Sequence, residues 1–141
     1  MPLPITLDAS HLDLSPRLFT STAVAASPSA AAETTVCTIT CTGDIASLVG
    51  VVLVGTVAFT VGTSGTAVTY RIRRTDTNGT VVFTSGATTA GISAGNLVAQ
   101  ELSAFDAGGF TNGRVYVLTL QVTSGAAAST VSAANLMGLV V

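Results

Sequence analysis

The sequence predicts an all-β protein, an antiparallel β-sandwich preceded by an extended N-terminal arm. Three observations carry that expectation. Apolar and polar residues alternate with a period of two, as in Val51-x-Leu53 and in Tyr116-x-Leu118-x-Leu120-x-Val122. Thr, Val, Ala and Gly dominate, and β-branched residues favour strands. Turn signals rich in Gly and Asn punctuate the alternating runs at fairly regular spacing, with no long helical pattern between them. Seven or eight such strands make a sandwich or barrel, with a jelly roll as the leading form and an immunoglobulin-like sandwich as the alternative. A core Trp, one of the immunoglobulin landmarks, is missing, because the chain has no Trp at all.

In chain order, residues 1–33 read as an arm and 34–141 as the sandwich domain. Pro2, Pro4, Pro16 and Pro28 are all the prolines of the chain and interrupt regular structure repeatedly. Short apolar pieces lie between them, Leu3–Leu7, Leu12–Leu14 and Leu18–Phe19, followed by the low-complexity run Ala23–Ala32. Such a segment has too little apolar surface to fold alone. It is expected to lie along its own sandwich or on a neighbouring subunit, with Leu12, Leu14, Leu18 and Phe19 as candidate contact residues.

Thr34–Thr42 alternates and reads as an edge strand. Leu48–Val61 is the longest strand candidate, with Gly50 or Gly55 as the expected bulge or bend. Gly62–Thr66 is a glycine-rich turn and Ala67–Arg74 the next strand, so Val51–Arg74 is expected to be a β-hairpin. Its buried face is assigned Val51, Leu53, Val57, Phe59 and Val61, then Val68, Tyr70 and Ile72. Asn78-Gly79 is the pair preferred in a type I′ turn, and Thr80–Ser85 follows as a short strand. Gly86–Gly95 reads as a loop, and Asn96–Phe105 as a strand in which Gln100 and Leu102 blur the alternation. Asp106–Gly113 is a loop, Arg114–Thr123 a strong strand, and Ser129–Val141 a closing strand whose apolar end predicts a packed C-terminus.

Composition narrows function mainly by exclusion. With 141 residues the chain has room for one domain with its own core. Charged residues are 9%, none of them Lys, and the formal net charge is −2. That balance offers no electrostatic footprint for nucleic acid or anionic lipid. It suits a surface that is buried against other subunits, because few ions need desolvating. The first basic residue, Arg17, follows Asp8 and Asp13, unlike a signal peptide, and glycines and threonines interrupt the apolar run Ile45–Gly62 as no membrane helix would need. Cys37 and Cys41 fall on one face of an extended strand about 13 Å apart, too far to pair with each other. Two buried free thiols are the first reading and an intermolecular bridge the second.

Candidate chemistry is sparse. Gly91-Ile92-Ser93-Ala94-Gly95 matches the hydrolase elbow G-x-S-x-G, but that device needs a helix after the serine and a histidine downstream. The only histidine, His11, lies upstream. His11 with Asp8 and Asp13 supplies too few convergent ligands for a metal, and without Lys there is no P-loop. Asp44 and Asp76 sit in turns and Asp106 opens a loop, where Asp serves the backbone. Arg71, Arg73 and Arg74 form the one basic cluster. Arg71 and Arg73 share a polar strand face, either solvated or anchoring a subunit contact. The expectation is a protein with no catalytic site, cofactor or metal.

The core V-x-F-T-V-G-T-S-G-T-A-V-T-x-R-I-R within Leu53–Arg73, and the closing pair Tyr116–Thr123 and Ser129–Val141, resemble small structural proteins of tailed bacteriophages. The resemblance covers roughly residues 34–141. It implies a TNF/C1q-like jelly roll, a homotrimer, and a capsid decoration (cement) protein on the capsid surface of the virion, with the major capsid protein as partner. A receptor-binding or structural head of a tail tip or fibre is the alternative that the same resemblance allows.

Overall fold

The computed structural model describes residues 18–22, 32–42, 49–62, 67–88, 92–108, 111–124 and 130–141. The strands are β1 (Leu18–Thr22), β2 (Thr34–Cys41), β3 (Val51–Thr60), β4 (Ala67–Arg74), β5 (Val81–Thr88), β6 (Leu97–Asp106), β7 (Arg114–Ser124) and β8 (Thr130–Val140). They form two antiparallel four-stranded sheets, β1-β8-β3-β6 and β2-β7-β4-β5. The pairs β1·β8, β2·β7, β3·β6 and β4·β5 are nested. The chain is therefore one long antiparallel ribbon, folded at the β4–β5 turn and rolled so that successive pairs alternate between sheets. That winding is the jelly roll, and β3·β8 and β4·β7 complete the sheets. Strand order thus decides against the immunoglobulin-like alternative.

Period-two alternation builds the core. Val51, Leu53, Val57, Phe59 and Val61 from the β3 run meet Val68, Tyr70 and Ile72 from β4, and Tyr116, Leu118, Leu120 and Val122 from β7, all buried. The burial agrees with the sequence, but the pairing does not. β3 and β4 lie in different sheets, so Val51–Arg74 is not a hairpin. Its two apolar faces stack across the sandwich, with the Phe59 and Tyr70 rings 6.5 Å apart at 51°. Alternation specifies a buried face, and two such faces can be satisfied by stacking as well as by lying side by side.

Other local expectations also change. Gly50 and Gly55 are not bulges. The irregularity in β3·β8 falls at Ala58/Phe59, where Ser132 is the extra residue on β8. Gly50 instead permits close approach, since a Cβ there would strike the Asp106 carbonyl oxygen and the Phe105 ring. The Asn78-Gly79 turn is not type I′. Neither residue has positive φ, and Thr75 takes the left-handed conformation instead (φ 75°). The Asp76 carboxylate accepts from the Asn78 N–H at 2.7 Å and the Asp76 carbonyl from the Gly79 N–H at 3.1 Å, so the β4–β5 connection is a longer loop closed around Asp76. β5 runs on to Thr88, β6 is a strand throughout, and the C-terminus is tied down by Val141 N–H to the Gly50 carbonyl at 3.0 Å.

β1 draws Leu18–Thr22, assigned to the arm, into the first sheet beside β8. Leu12 and Leu14 lie outside the described residues, as do His11, Asp8, Asp13, Asp44 and Gly91. Cys37 and Cys41 are free, buried and on the inner side of β2. Burial raises the Cys37 thiol pKa and pushes that of Cys41 up to about 11.

Candidate assembly surface

Each sheet has one outer face, and the two are built differently. On the β2-β7-β4-β5 sheet, alternation turns Arg71 and Arg73 of β4 outward beside Thr119 of β7. Glu33, the residue before β2, lies over this row. It accepts from Arg71 Nη1 at 2.6 Å, from Arg73 Nε at 2.8 Å and Nη2 at 2.6 Å, and from the Thr119 hydroxyl at 3.0 Å. The Arg73 hydrogen bonds, with Thr119 and the Arg71 charge, hold the Glu33 carboxyl below its usual range against the opposing effect of burial. Arg71 also reaches Gln121 Oε1 at 3.0 Å, and Arg73 the Gly79 carbonyl at 2.9 Å. The two arginines are therefore engaged within the chain rather than freely solvated. Nothing in the sequence links Glu33 to them, because 38 and 40 residues separate the partners.

Arg74 turns the other way. Asp106, the last residue of β6 and only 4% exposed, accepts from Arg74 Nε at 2.8 Å and from Arg74 Nη2. It also accepts from the Tyr116 hydroxyl at 2.7 Å and the Gly108 N–H at 3.1 Å, and Arg114 Nη1 lies 3.6 Å away. Asp106 belongs to one sheet and its three side-chain partners to the other, so the cluster staples the sandwich at one end. Burial alone would raise the Asp106 pKa, but the hydrogen bonds from Arg74, Tyr116 and Gly108 outweigh it and bring it to about 2. Burial and the same bond raise the Tyr116 phenol. Asp106 is thus structural rather than a loop residue. Its inward parity with Leu102 and Ala104 was the available signal.

The outer face of the β1-β8-β3-β6 sheet is apolar at one end. Register places Phe105 (β6), Val52 (β3), Leu139 (β8) and Leu18 (β1) in one row across all four strands. The next row is Ser103, Val54, Met137 and Thr20. Among these, Leu18, Val54, Phe105, Met137 and Leu139 are between 36% (Met137) and 57% (Leu18) exposed. Together they give this end of the face an exposed apolar character that the rest of the described surface does not concentrate in neighbouring rows. Among the described residues Glu101 is the only charged side chain on this face; its row and the next are polar or small, with Thr56, Asn135, Ala58, Ala99 and Ala133, and the far end carries Thr60 beside the exposed Leu97. A shallow depression of about 420 Å³ lies between Val54, Thr56, Glu101 and Ser103. Of the sequence candidates, Leu18 stands in the apolar row, whereas Phe19 turns inward and packs against the core. The remaining members of the row come from three strands that only the fold brings together.

Among the described residues no three His, Cys, Asp or Glu side chains converge as metal ligands. Ser93 sits in an exposed turn in which the Asn96 N–H donates to its carbonyl, Gly95 is left-handed (φ 86°), and strand β6 follows rather than a helix. The elbow geometry is therefore missing around Ser93.

No family model matches the sequence, and no curated protein does. Solved structures do match. The chain is similar to the structure of infectious bursal disease virus Gx strain, with a TM-score of 0.54 and 17% identity over 88% of this chain and 32% of that one. It is similar to the Gt strain of the same virus, with 0.54 and 16% over 98% and 36%. A mutant VP2 protein of that virus in derived T=1 particles gives 0.53 and 15% over 99% and 36%. The chain thus spans about a third of the length of each structure it matches. At these identities the likeness shows the fold alone, a jelly roll.

Proposed function

We propose that this chain is a non-enzymatic virion structural protein, a capsid decoration protein that sits on the capsid surface as a homotrimer and bridges major capsid subunits of a tailed bacteriophage. The observation that carries the structural role is the apolar outer face of the β1-β8-β3-β6 sheet. A rigid sandwich whose Glu33 and Asp106 carboxylates are paired internally presents that face as its adhesive surface. The jelly roll shared with virus particle proteins supports a virion setting, and the resemblance of Leu53–Arg73 to phage structural proteins supports decoration. Mechanically, decoration is stapling. Many modest contacts repeated over a lattice hold by avidity without one tight site.

The test is the position of the chain in purified particles, by quantitative mass spectrometry and electron microscopy. Many copies spread over the shell are expected. A few copies at the tail would replace decoration with a receptor-binding or structural head, and absence from particles would overturn the virion role.

A further inference from the structure

We infer that the outer face of the β2-β7-β4-β5 sheet docks an acidic segment of a different protein, with Arg71 gripping one of its carboxylates. The inference rests on the structural role proposed above and names the chemistry of a partner. A staple needs two ends, and this face lies on the opposite side of the sandwich from the apolar one.

The hydrogen-bond inventory selects the ligand. Arg71 Nη1 spends both of its N–H bonds, one on Glu33 Oε1 at 2.6 Å and one on Gln121 Oε1 at 3.0 Å. The Nε–Nη2 edge of a guanidinium is the one that holds a carboxylate by two parallel bonds. Arg73 and Arg74, the other arginines of β4, each spend that edge on a carboxylate of this chain, Glu33 and Asp106. Arg71 keeps its own, with no acceptor on it among the described residues. The acceptors nearby are occupied. Glu33 Oε1 takes Arg71 and Arg73, Glu33 Oε2 takes Arg73 and Thr119, and Gln121, its oxygen held by Arg71, has its amide N–H groups left to offer. A site rich in donors and spent in acceptors suits a group that only accepts.

Charge points the same way. Among the described residues Glu33, Arg71 and Arg73 are the charged side chains on this face, which leaves one positive charge in excess. A carboxylate cancels it, whereas a phosphate monoester, with about two negative charges at neutral pH, overshoots. The chain as a whole carries −2, so no long-range field gathers a polyanion and recognition is confined to this point. The site is also reachable and stiff. The Arg71 side chain is 22% exposed and is held from two sides, so little freedom is lost on binding. Beside it Gly86 of β5, opposite Thr69, leaves open ground, since a Cβ there would meet only the Val68 carbonyl oxygen at 3.6 Å.

The test is an NMR titration of the purified full-length chain, in low salt, with the blocked peptide acetyl-Glu-Glu-Glu-amide, its Gln counterpart and inorganic phosphate. The Arg71 Nε–H and Gln121 amide signals are expected to shift saturably with the Glu peptide and to stay in place with the Gln peptide. Arg74 Nε–H, whose edge holds Asp106, should stay in place with both. Arg71→Lys keeps the charge but loses the planar edge, and should weaken binding at least about tenfold, with circular dichroism checking its fold. No saturable shift with the Glu peptide, or equal shifts at Arg71 and Arg74, would overturn the inference without any variant. Phosphate binding as tightly as the Glu peptide would overturn it by marking a general anion site. A fall in the solution mass of the Arg71→Lys chain would overturn it by making a second copy the occupant. None of these measurements uses particles, so absence of the chain from particles would remove the virion role and leave a measured carboxylate site standing.

Discussion

Replacing Asp106 by Asn removes one charge from the cluster that joins the two sheets while nearly conserving shape. The carboxylate is 4% exposed and receives four hydrogen bonds, two of them from Arg74. Its pKa falls from an ordinary 3.8 to about 2 in the folded chain. At about 1.4 kcal/mol per pH unit, that difference contributes roughly 2–3 kcal/mol of stability. The sign follows from linkage. A depressed carboxylate contributes fully above its unfolded value of 3.8, and the contribution is lost as pH falls through about 4 towards 2. The substitution would also leave Arg74 and Arg114 facing a neutral amide, so the variant should lose about 2–4 kcal/mol at pH 7. At pH 2, where the folded carboxyl is about half protonated, the gap between parent and variant should have shrunk by about 2 kcal/mol. Urea unfolding followed by far-UV circular dichroism at pH 7, 4 and 2 measures both. Comparing the two proteins at each pH cancels the contribution of Glu33, which titrates in the same acidic window. A gap that stays constant from pH 7 to pH 2 would refute the ionised staple.

Two further substitutions probe other parts of the molecule. Glu33→Gln should cost about 1–2 kcal/mol near neutral pH, less in high salt, because it leaves Arg71 and Arg73 without their shared carboxylate; a loss indifferent to salt would argue that packing rather than charge holds this residue. Tyr70→Phe should stabilise the protein by about 1 kcal/mol, read as a higher melting temperature, since the Tyr70 hydroxyl is fully buried with no hydrogen-bond partner among the described residues. A lower melting temperature would mean that the hydroxyl is satisfied in solution.

Alternation by itself determined which side chains of β3, β4 and β7 are buried, because a strand with one wet face has only one way to place its apolar set. The same rule put Arg71 and Arg73 on the outer surface and Cys37 with Cys41 on the inner one. It was silent about neighbours. An apolar face is satisfied equally by a strand beside it or a sheet above it, so β3 and β4, adjacent in sequence and expected to pair, stack across the core instead. Glu33 came from far along the chain to meet Arg71, and Asp106 reached from one sheet to Arg74, Arg114 and Tyr116 of the other. Charge pairing of this kind depends on distance in space, which period and spacing do not encode. The apolar row from Phe105 to Leu18 was hidden for the same reason. Each of its residues is an ordinary outward apolar position on its own strand, and only the nested pairing of the jelly roll sets four of them side by side.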